Sequence, residues 1–272
     1  MSYMGFKEKQ GIRYFQFDIF REQPFFHALL TRHGGYSSSP FDSLNTGGTV
    51  GDNPLDVLKN HQKIFQVFSF DYRSRFDVWQ VHGTNIICTE SPRSPGTPHE
   101  KADGILTNKH NVTLFMRFAD CVPVLIYDPQ NHVIGIIHAG WQGTVHRIVK
   151  AAVEKMANCY HSVPDSLVVG IGPAICVDCY EVGNDVFRAF RKNFGDDAAR
   201  FFRTNQGKRH LDLCAANIDI LRRAGVKKIE NANICTSCQP EDWYSHRGQN
   251  GRTGRYGVLM SLNQPDQDFR DI

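Results

Sequence analysis

The chain has 272 residues, of which 41% are hydrophobic and 22% charged, and a formal net charge of +3. These values fit a folded globular protein with a sizeable core, in one large domain or two small ones. They give no sign of a nucleic-acid partner, and no apolar run reaches the roughly 18 residues of a membrane helix, so no membrane partner is expected either.

Residues Met1 to Phe20 mix charged residues with aromatics and contain no continuous apolar stretch, so no signal peptide is expected. The eight cysteines are therefore expected in a reducing cytoplasm, as thiols or metal ligands. Tyr14 to Phe20 alternates aromatic and polar residues, as a half-buried strand does. Leu55 to Phe68 reads as a helix, with Leu58, Ile64, Phe65 and Phe68 on one side. Phe76 to Thr89 reads as a pair of short strands around Gly83. Three prolines between Ser91 and His99 forbid a regular element there and mark a surface loop.

Val112 to Phe118 alternates again, and Val122 to Tyr127 and Val133 to His138 are apolar runs of strand length. Val145, Ile148, Val149, Ala152, Val153 and Met156 recur at helical spacing. Leu167 to Ile171 reads as a buried strand, Asn184 to Phe194 and Leu213 to Ala224 as helices, and Gly257 to Leu262 as a last strand. Strand pairs and helices in this order argue for mixed sheets with helices packed on them, an α/β fold at the border with α+β. No dinucleotide or P-loop glycine pattern is present.

Three short segments follow strand-like runs and carry reactive side chains: Gln80 to Gly83, Ala119 to Cys121, and His138 to Trp141. Strand ends on a rigid scaffold can aim side chains at one point. Cys121 and His138 flank two apolar runs joined by a turn at Asp128 to Asn131, and such a hairpin brings the two close. With His82 they make a set of two imidazoles and one thiolate, which suits catalytic zinc with an open fourth position. By spacing alone a structural cysteine with two core histidines explains the same residues. Asp120 is a candidate proton shuttle or a positioning residue. Gly140 to Thr144 enters the helix, with Thr144 as a candidate N-cap and Gly143 at a helix start suited to an anion.

Cys176 to Cys179 and Cys235 to Cys238 form two C-x-x-C pairs, the ingredients of a four-cysteine zinc centre. The pairs are 55 residues apart, with a strand and two helices between them, so buried thiols or loop packing is the favoured reading.

Seven strings occur in order: TRHGGYS from Thr31, QVHG from Gln80, ADGILT from Ala102, ADCVPVLIYD from Ala119, HAGWQGT from His138, GPAICVDCYEVG from Gly172 and CTSCQPEDWYSHRGQNGRTGR from Cys235. Together they resemble the YfiH family, also called the laccase-domain or multicopper polyphenol-oxidase-like family, over Phe26 to Leu262. The resemblance implies a single α/β domain, residues 1–272, with helices outside mixed sheets, and a Zn2+ ion on His82, Cys121 and His138. It implies purine nucleoside phosphorylase activity on adenosine, inosine or guanosine with phosphate, accompanied by adenosine deamination and methylthioadenosine phosphorolysis. It also accounts for the C-x-x-C cysteines as part of the family pattern outside the zinc ligands. Two positions depart from that pattern: Gln142 replaces a basic residue after HAGW, and His246 leaves Arg247 as the only arginine before Gly248.

For deamination, zinc supplies an activated water for attack on the purine C6 carbon. For phosphorolysis, Arg32, Arg247 and the helix start at Gly143 are candidates to hold phosphate, with Gln80 lining the site. Trp141 is a candidate to stack on a base or to pack in the core. Rival readings are a zinc amidase editing peptidoglycan precursors, a copper polyphenol oxidase, a metal-free Cys121–His138 hydrolase and a non-catalytic binding module. None of the twelve histidines forms a His-x-His pair of the kind copper oxidases use. The sequence leaves the oligomeric state open, with a monomer as one option.

Overall fold

The computed structural model describes residues 5–263; the ends of the domain expected over residues 1–272 lie outside them. In chain order its elements begin with β1 (Phe6–Lys9), β2 (Ile12–Phe15), β3 (Phe26–Leu30), α1 (Pro54–Val67), β4 (Arg75–Phe76) and β5 (Ile86–Cys88). Next come β6 (Gly104–Thr107), β7 (Thr113–Phe118), β8 (Val122–Asp128), β9 (Val133–Ala139), α2 (Trp141–Val145) and α3 (Ile148–Tyr160). The chain continues through β10 (Val168–Ile171), β11 (Glu181–Val182), α4 (Asn184–Phe194), β12 (Phe202–Asn205) and β13 (Lys208–Leu211). It ends with α5 (Leu213–Arg223), β14 (Lys228–Asn231) and β15 (Tyr256–Ser261).

Two six-stranded mixed sheets form the centre, in the orders β1-β2-β3-β15-β7-β4 and β14-β10-β8-β9-β6-β5, and β11-β13-β12 make a small third sheet. Side-chain alternation along the strands sets the layers. Leu114, Met116 and Phe118 of β7 meet Leu125 and Tyr127 of β8 and Ile134 and Ile136 of β9 in one buried cluster between the two large sheets. The alternate residues of β8 and β9, among them Val124, Ile126, Val133 and Ile137, face α3 and α5. On the far side, Ile64 and Phe65 of α1 cover Leu30, Phe115 and Leu259 of the first sheet. The result is four layers, helix–sheet–sheet–helix, as the α/β reading expects. No helix among the described residues is long and apolar enough to cross a membrane.

Several expected elements change. The strand placed at Tyr14 to Phe20 ends at Phe15. Beyond it the backbone N–H of Phe17 donates to His27 Nε2 (2.9 Å), and that of Ile19 donates to the Glu230 carboxylate (2.7 Å), which draws the chain into a turn of 3-10 helix. α1 starts where expected, with Asn53 accepting from Leu55 N and Pro54 in the first turn. Leu58, however, is 43% exposed and lies off its buried face.

Phe76 to Thr89 is not a strand pair within one sheet. β4 runs parallel to β7 in the first sheet, whereas β5 runs parallel to β6 in the second. The helix expected from Val145 to Met156 breaks at Arg147, whose φ of 58° is left-handed. Gly140, rather than Thr144, caps the short α2, and Thr144 Oγ1 instead accepts from Asn217 Nδ2 at 3.0 Å.

Candidate metal centre and cleft

The chain crosses between the two large sheets at two neighbouring places, and the reactive residues lie at those crossings. Residues 77–85 lead from β4 to β5, and Ala119–Cys121 lead from β7 to β8. Cys121 has the alternation of Leu125 and Tyr127, the residues that face the other sheet. β8 and β9 pair antiparallel with Pro123 opposite His138, so the expected hairpin carries Cys121 and His138 to the same end of the inter-sheet layer. The ligand atoms of His82, Cys121 and His138 lie within 4.8 Å of one another.

Asp103, fully buried at the start of β6, organises this centre. Its carboxylate accepts from His138 Nδ1 (2.8 Å) and from the backbone N–H groups of Val81 (3.2 Å), His82 (2.9 Å) and Gly83 (2.7 Å). Three successive N–H groups reach one carboxylate because His82 adopts a left-handed φ of 59°, making a concave anion-binding turn. With the His138 Nδ1 proton held by Asp103, Nε2 is left as the ligand nitrogen, the usual carboxylate–histidine–metal arrangement. Burial raises Asp103, but His138 and the N–H groups outweigh burial and hold it below the ordinary carboxylate range.

The electrostatics favour a thiolate. Burial pushes the Cys121 thiol up, yet His138 and His82 outweigh it and bring it down to about 6. Burial lowers His138, and Cys121 and Asp103 outweigh that to lift it to about 9. Both shifts describe one ion pair between the half-buried Cys121 thiolate and the buried His138 imidazolium, in which a metal can take the place of the Nε2 proton. Gly140 keeps the space open: a Cβ there would stand 3.0 Å from both Cys121 Sγ and His82 Cδ2.

The centre lines a cleft of about 650 Å³ that also includes Trp79, Tyr180, Arg117, His246, Arg247 and Arg255. Gln80 lines it too, but its amide is tied to β7, donating to Arg117 O (2.8 Å) and accepting from Arg117 N (3.0 Å). Asp120 occupies the β7–β8 crossing with a φ of 84°. Its carboxylate accepts from Thr236 Oγ1 (2.7 Å), Ser245 Oγ (2.6 Å) and Arg247 N (2.6 Å), a set of bonds that anchors loops. Arg247 Nη1 donates to Glu181 O at 2.6 Å, and the guanidinium lies over the Tyr180 ring at 5.1 Å.

Two expected binding residues lie elsewhere. Arg32 is absent from the lining; it donates to Asp42 O and Pro240 O, both at 2.7 Å, and stacks on Tyr244 at 4.8 Å. Gly143 is buried inside the five-residue α2, and a Cβ there would meet Gly83 O at 3.1 Å, so it serves close packing of α2 on the His82 loop. Trp141 both lines the cleft and packs against the helix-side core.

Sequence reasoning assigned no role to Asp103, Arg255 or Trp79. Asp103 and Arg255 do stand in the quoted ADGILT and CTSC…GR strings, so the strings marked them without showing their contacts. Trp79, 49% exposed at the cleft, immediately precedes QVHG.

The four cysteines of the C-x-x-C pairs also come together, with their sulfurs all within 4.8 Å of one another. Their separation in sequence argued against this, and the structure corrects it.

A family model described as multi-copper polyphenol oxidoreductase laccase matches residues 26–263. A protein from Bacillus subtilis (strain 168) named purine nucleoside phosphorylase YlmD is 38% identical over 246 residues, covering 87% of this chain and 88% of that one. A protein named adenosine deaminase RL5, from an unknown prokaryotic organism, is 33% identical over 226 residues, covering 79% of this chain and 85% of that one. The crystal structure of YlmD from Geobacillus stearothermophilus superposes with a TM-score of 0.88 at 33% identity, covering 96% of this chain and 99% of that chain.

Proposed function

This chain belongs to the multi-copper polyphenol oxidoreductase laccase family, and we propose that it is a zinc-dependent purine nucleoside phosphorylase working at His82, Cys121 and His138. The observation that carries this reading is the convergence of two imidazoles and one thiolate within 4.8 Å in the wall of an open cleft. It is joined by 38% identity to a protein named purine nucleoside phosphorylase.

The donor set fits zinc: nitrogen and sulfur ligands, three in number, with an aspartate fixing one ring. Bound there, zinc supplies a positive charge and Lewis acidity toward an atom that gains negative charge in the reaction.

The protein's own groups account for the rest. Phosphorolysis places positive charge on the ribose and negative charge on the departing base. Trp79, Trp141 and Tyr180 in the lining offer faces against which a purine can stack. Arg247 and Arg255 are anchored through backbone carbonyls, and a guanidinium has five donors, so both retain donors for phosphate. Arg247 keeps the role expected of it, and Arg255 takes the place of Arg32 and Gly143. Burial and Arg255 hold His246 below the ordinary imidazole value, so it serves as a neutral hydrogen-bonding group rather than a cation. Asp120 positions the Cys121 loop and Gln80 positions the His82 loop.

The test is chromatography of adenosine and inosine incubated with zinc-assayed protein, with and without phosphate. Free base that appears only with phosphate, and is lost in Cys121→Ala, supports the phosphorylase. The adenosine deaminase relative favours a second activity, read in the same experiment as inosine formed from adenosine without phosphate. Intact nucleosides in a zinc-loaded sample would overturn the purine reading and make muropeptide amides the next substrates to test. Turnover that survives complete chelation would move the chemistry to a metal-free Cys121–His138 pair.

A further inference from the structure

We propose that Cys176, Cys179, Cys235 and Cys238 form a second metal site, a zinc tetrathiolate that holds together the two loops behind the cleft. The inference is independent of the reaction at the first centre.

The fold explains how cysteines so distant in sequence meet. β10 and β14 are adjacent parallel strands, paired Val168 to Lys228 through Ile171 to Asn231. Each C-x-x-C pair follows within a few residues of one strand's C-terminal end, and a parallel bridge between Ala174 and Cys235 continues the pairing. The two helices between them in sequence, α4 and α5, belong to the crossover that parallel pairing requires.

Each pair is folded as a tight turn. Cys179 N and Tyr180 N both donate to Cys176 O at 3.1 Å, and Gln239 N donates to Cys235 O at 3.2 Å. Zn–S bonds of about 2.3 Å in a tetrahedron place sulfurs about 3.8 Å apart. The four sulfurs lie within 4.8 Å, with Cys179 Sγ 3.4 Å from Cys238 Sγ, so small side-chain rotations reach that geometry. Cys176 N already donates to Cys235 Sγ at 3.3 Å, a bond that suits a thiolate acceptor. All eight cysteines are free thiols, and the four sulfurs converge as one group rather than as two separate pairs. Zinc binding displaces the four thiol protons to solvent and leaves a centre of net charge −2. Cys235 is buried and Cys238 exposed, which gives the ion an entry side.

The position gives the site its consequence. Ile175, next to Cys176, donates its N–H to Asp120 O at 3.0 Å. Thr236, next to Cys235, donates its hydroxyl to Asp120 Oδ1 at 2.7 Å. Asp120 precedes Cys121, so a metal clamp on the four cysteines fixes the backbone that carries a residue of the first centre.

Metal analysis by mass spectrometry after exhaustive dialysis tests the proposal. The wild-type chain is expected to hold about two zinc ions, Cys121→Ala about one, and Cys121→Ala/Cys238→Ser none. A folded Cys121→Ala protein without zinc, or with iron in its place, overturns the assignment, as does zinc retained after the second substitution. A measurement on the wild-type chain stands beside these variants: alkylation of the native protein by N-ethylmaleimide, located by peptide mass. The four cysteines are expected to resist until a chelator is added. Prompt alkylation without chelator, or protection released only by a reductant, contradicts the proposal, the latter by showing disulfides.

Discussion

The two side-chain clusters of this protein gather metal-type donors within the same 4.8 Å by opposite routes. His82 and Cys121 come from two connections that cross between the large sheets, β4 to β5 and β7 to β8, and meet His138 near the end of β9. A buried carboxylate, Asp103, then orients the set, and the set lines an open cleft. The four cysteines come from two self-contained turns that a parallel strand pair brings side by side, with a backbone N–H on one sulfur, and none of them lines the cleft. Three mixed donors with room for a further ligand suit chemistry; four identical thiols that close a tetrahedron suit structure.

The largest expected effect comes from breaking the mixed centre. Cys121→Ala is expected to remove its metal and its turnover together, checked by zinc content and by base release. Asp103→Asn leaves all three ligands but swaps the anion that holds His138 and the His82 turn for a neutral amide. It is expected to weaken metal binding by roughly 10–100-fold, the usual effect of losing such a partner, measured by competition with a chromophoric chelator. Arg255→Ala removes one charge-assisted anchor, worth about 1.5–3 kcal/mol, so the KM for phosphate should rise by about 10- to 100-fold. A change confined to the nucleoside KM would instead place Arg255 at the sugar or base.

Acid sensitivity sharpens the comparison from outside both clusters. His27 Nε2 accepts from Phe17 N amid Phe17, Phe20 and Phe25. His61 Nδ1 faces Arg75 Nη1 at 3.0 Å while its Nε2 meets Thr46 O at 2.9 Å. Both rings are therefore held neutral. Burial lowers each to about 3, helped by Lys7 at His27 and by Arg75 at His61. A depressed folded-state value means that the stabilisation is complete above the unfolded value, near 6.5, and is lost as pH falls toward 3. Denaturant melts from pH 7 to 4 should show that loss, and His27→Gln should flatten it. The smallest effect is expected for Leu58→Lys, within about 0.5 kcal/mol as for ordinary surface changes, because Leu58 lies off the buried face of α1.

The layered fold was legible where strands were apolar and regular, as in Thr113 to Ala139, where two apolar runs joined by a turn brought Cys121 and His138 together. It was hidden where partners are chosen at long range. Nothing local distinguishes β4 and β5 as members of different sheets, and β11, β12 and β13 are too short and polar to carry a strand pattern. Among site residues, the three metal-type donors announced themselves by residue type. Asp103 did not, because a buried aspartate gains its role only from the N–H groups folded around it. Arg32 and Gly143 stood out for the converse reason: a charge and a glycine turn look available in sequence, but Asp42, Pro240 and Tyr244 hold Arg32 outside the cleft lining, and Gly143 packs closely on Gly83 O.

The most direct test compares two cysteine variants with wild type in the phosphate-dependent release of base: Cys121→Ala and Cys88→Ala, the latter a thiol outside both clusters. Each is first shown to be folded by circular dichroism. The account predicts turnover at background in Cys121→Ala and close to wild type in Cys88→Ala. Phosphorolysis at the wild-type rate in a folded Cys121→Ala protein would contradict it and remove the mixed centre from the reaction.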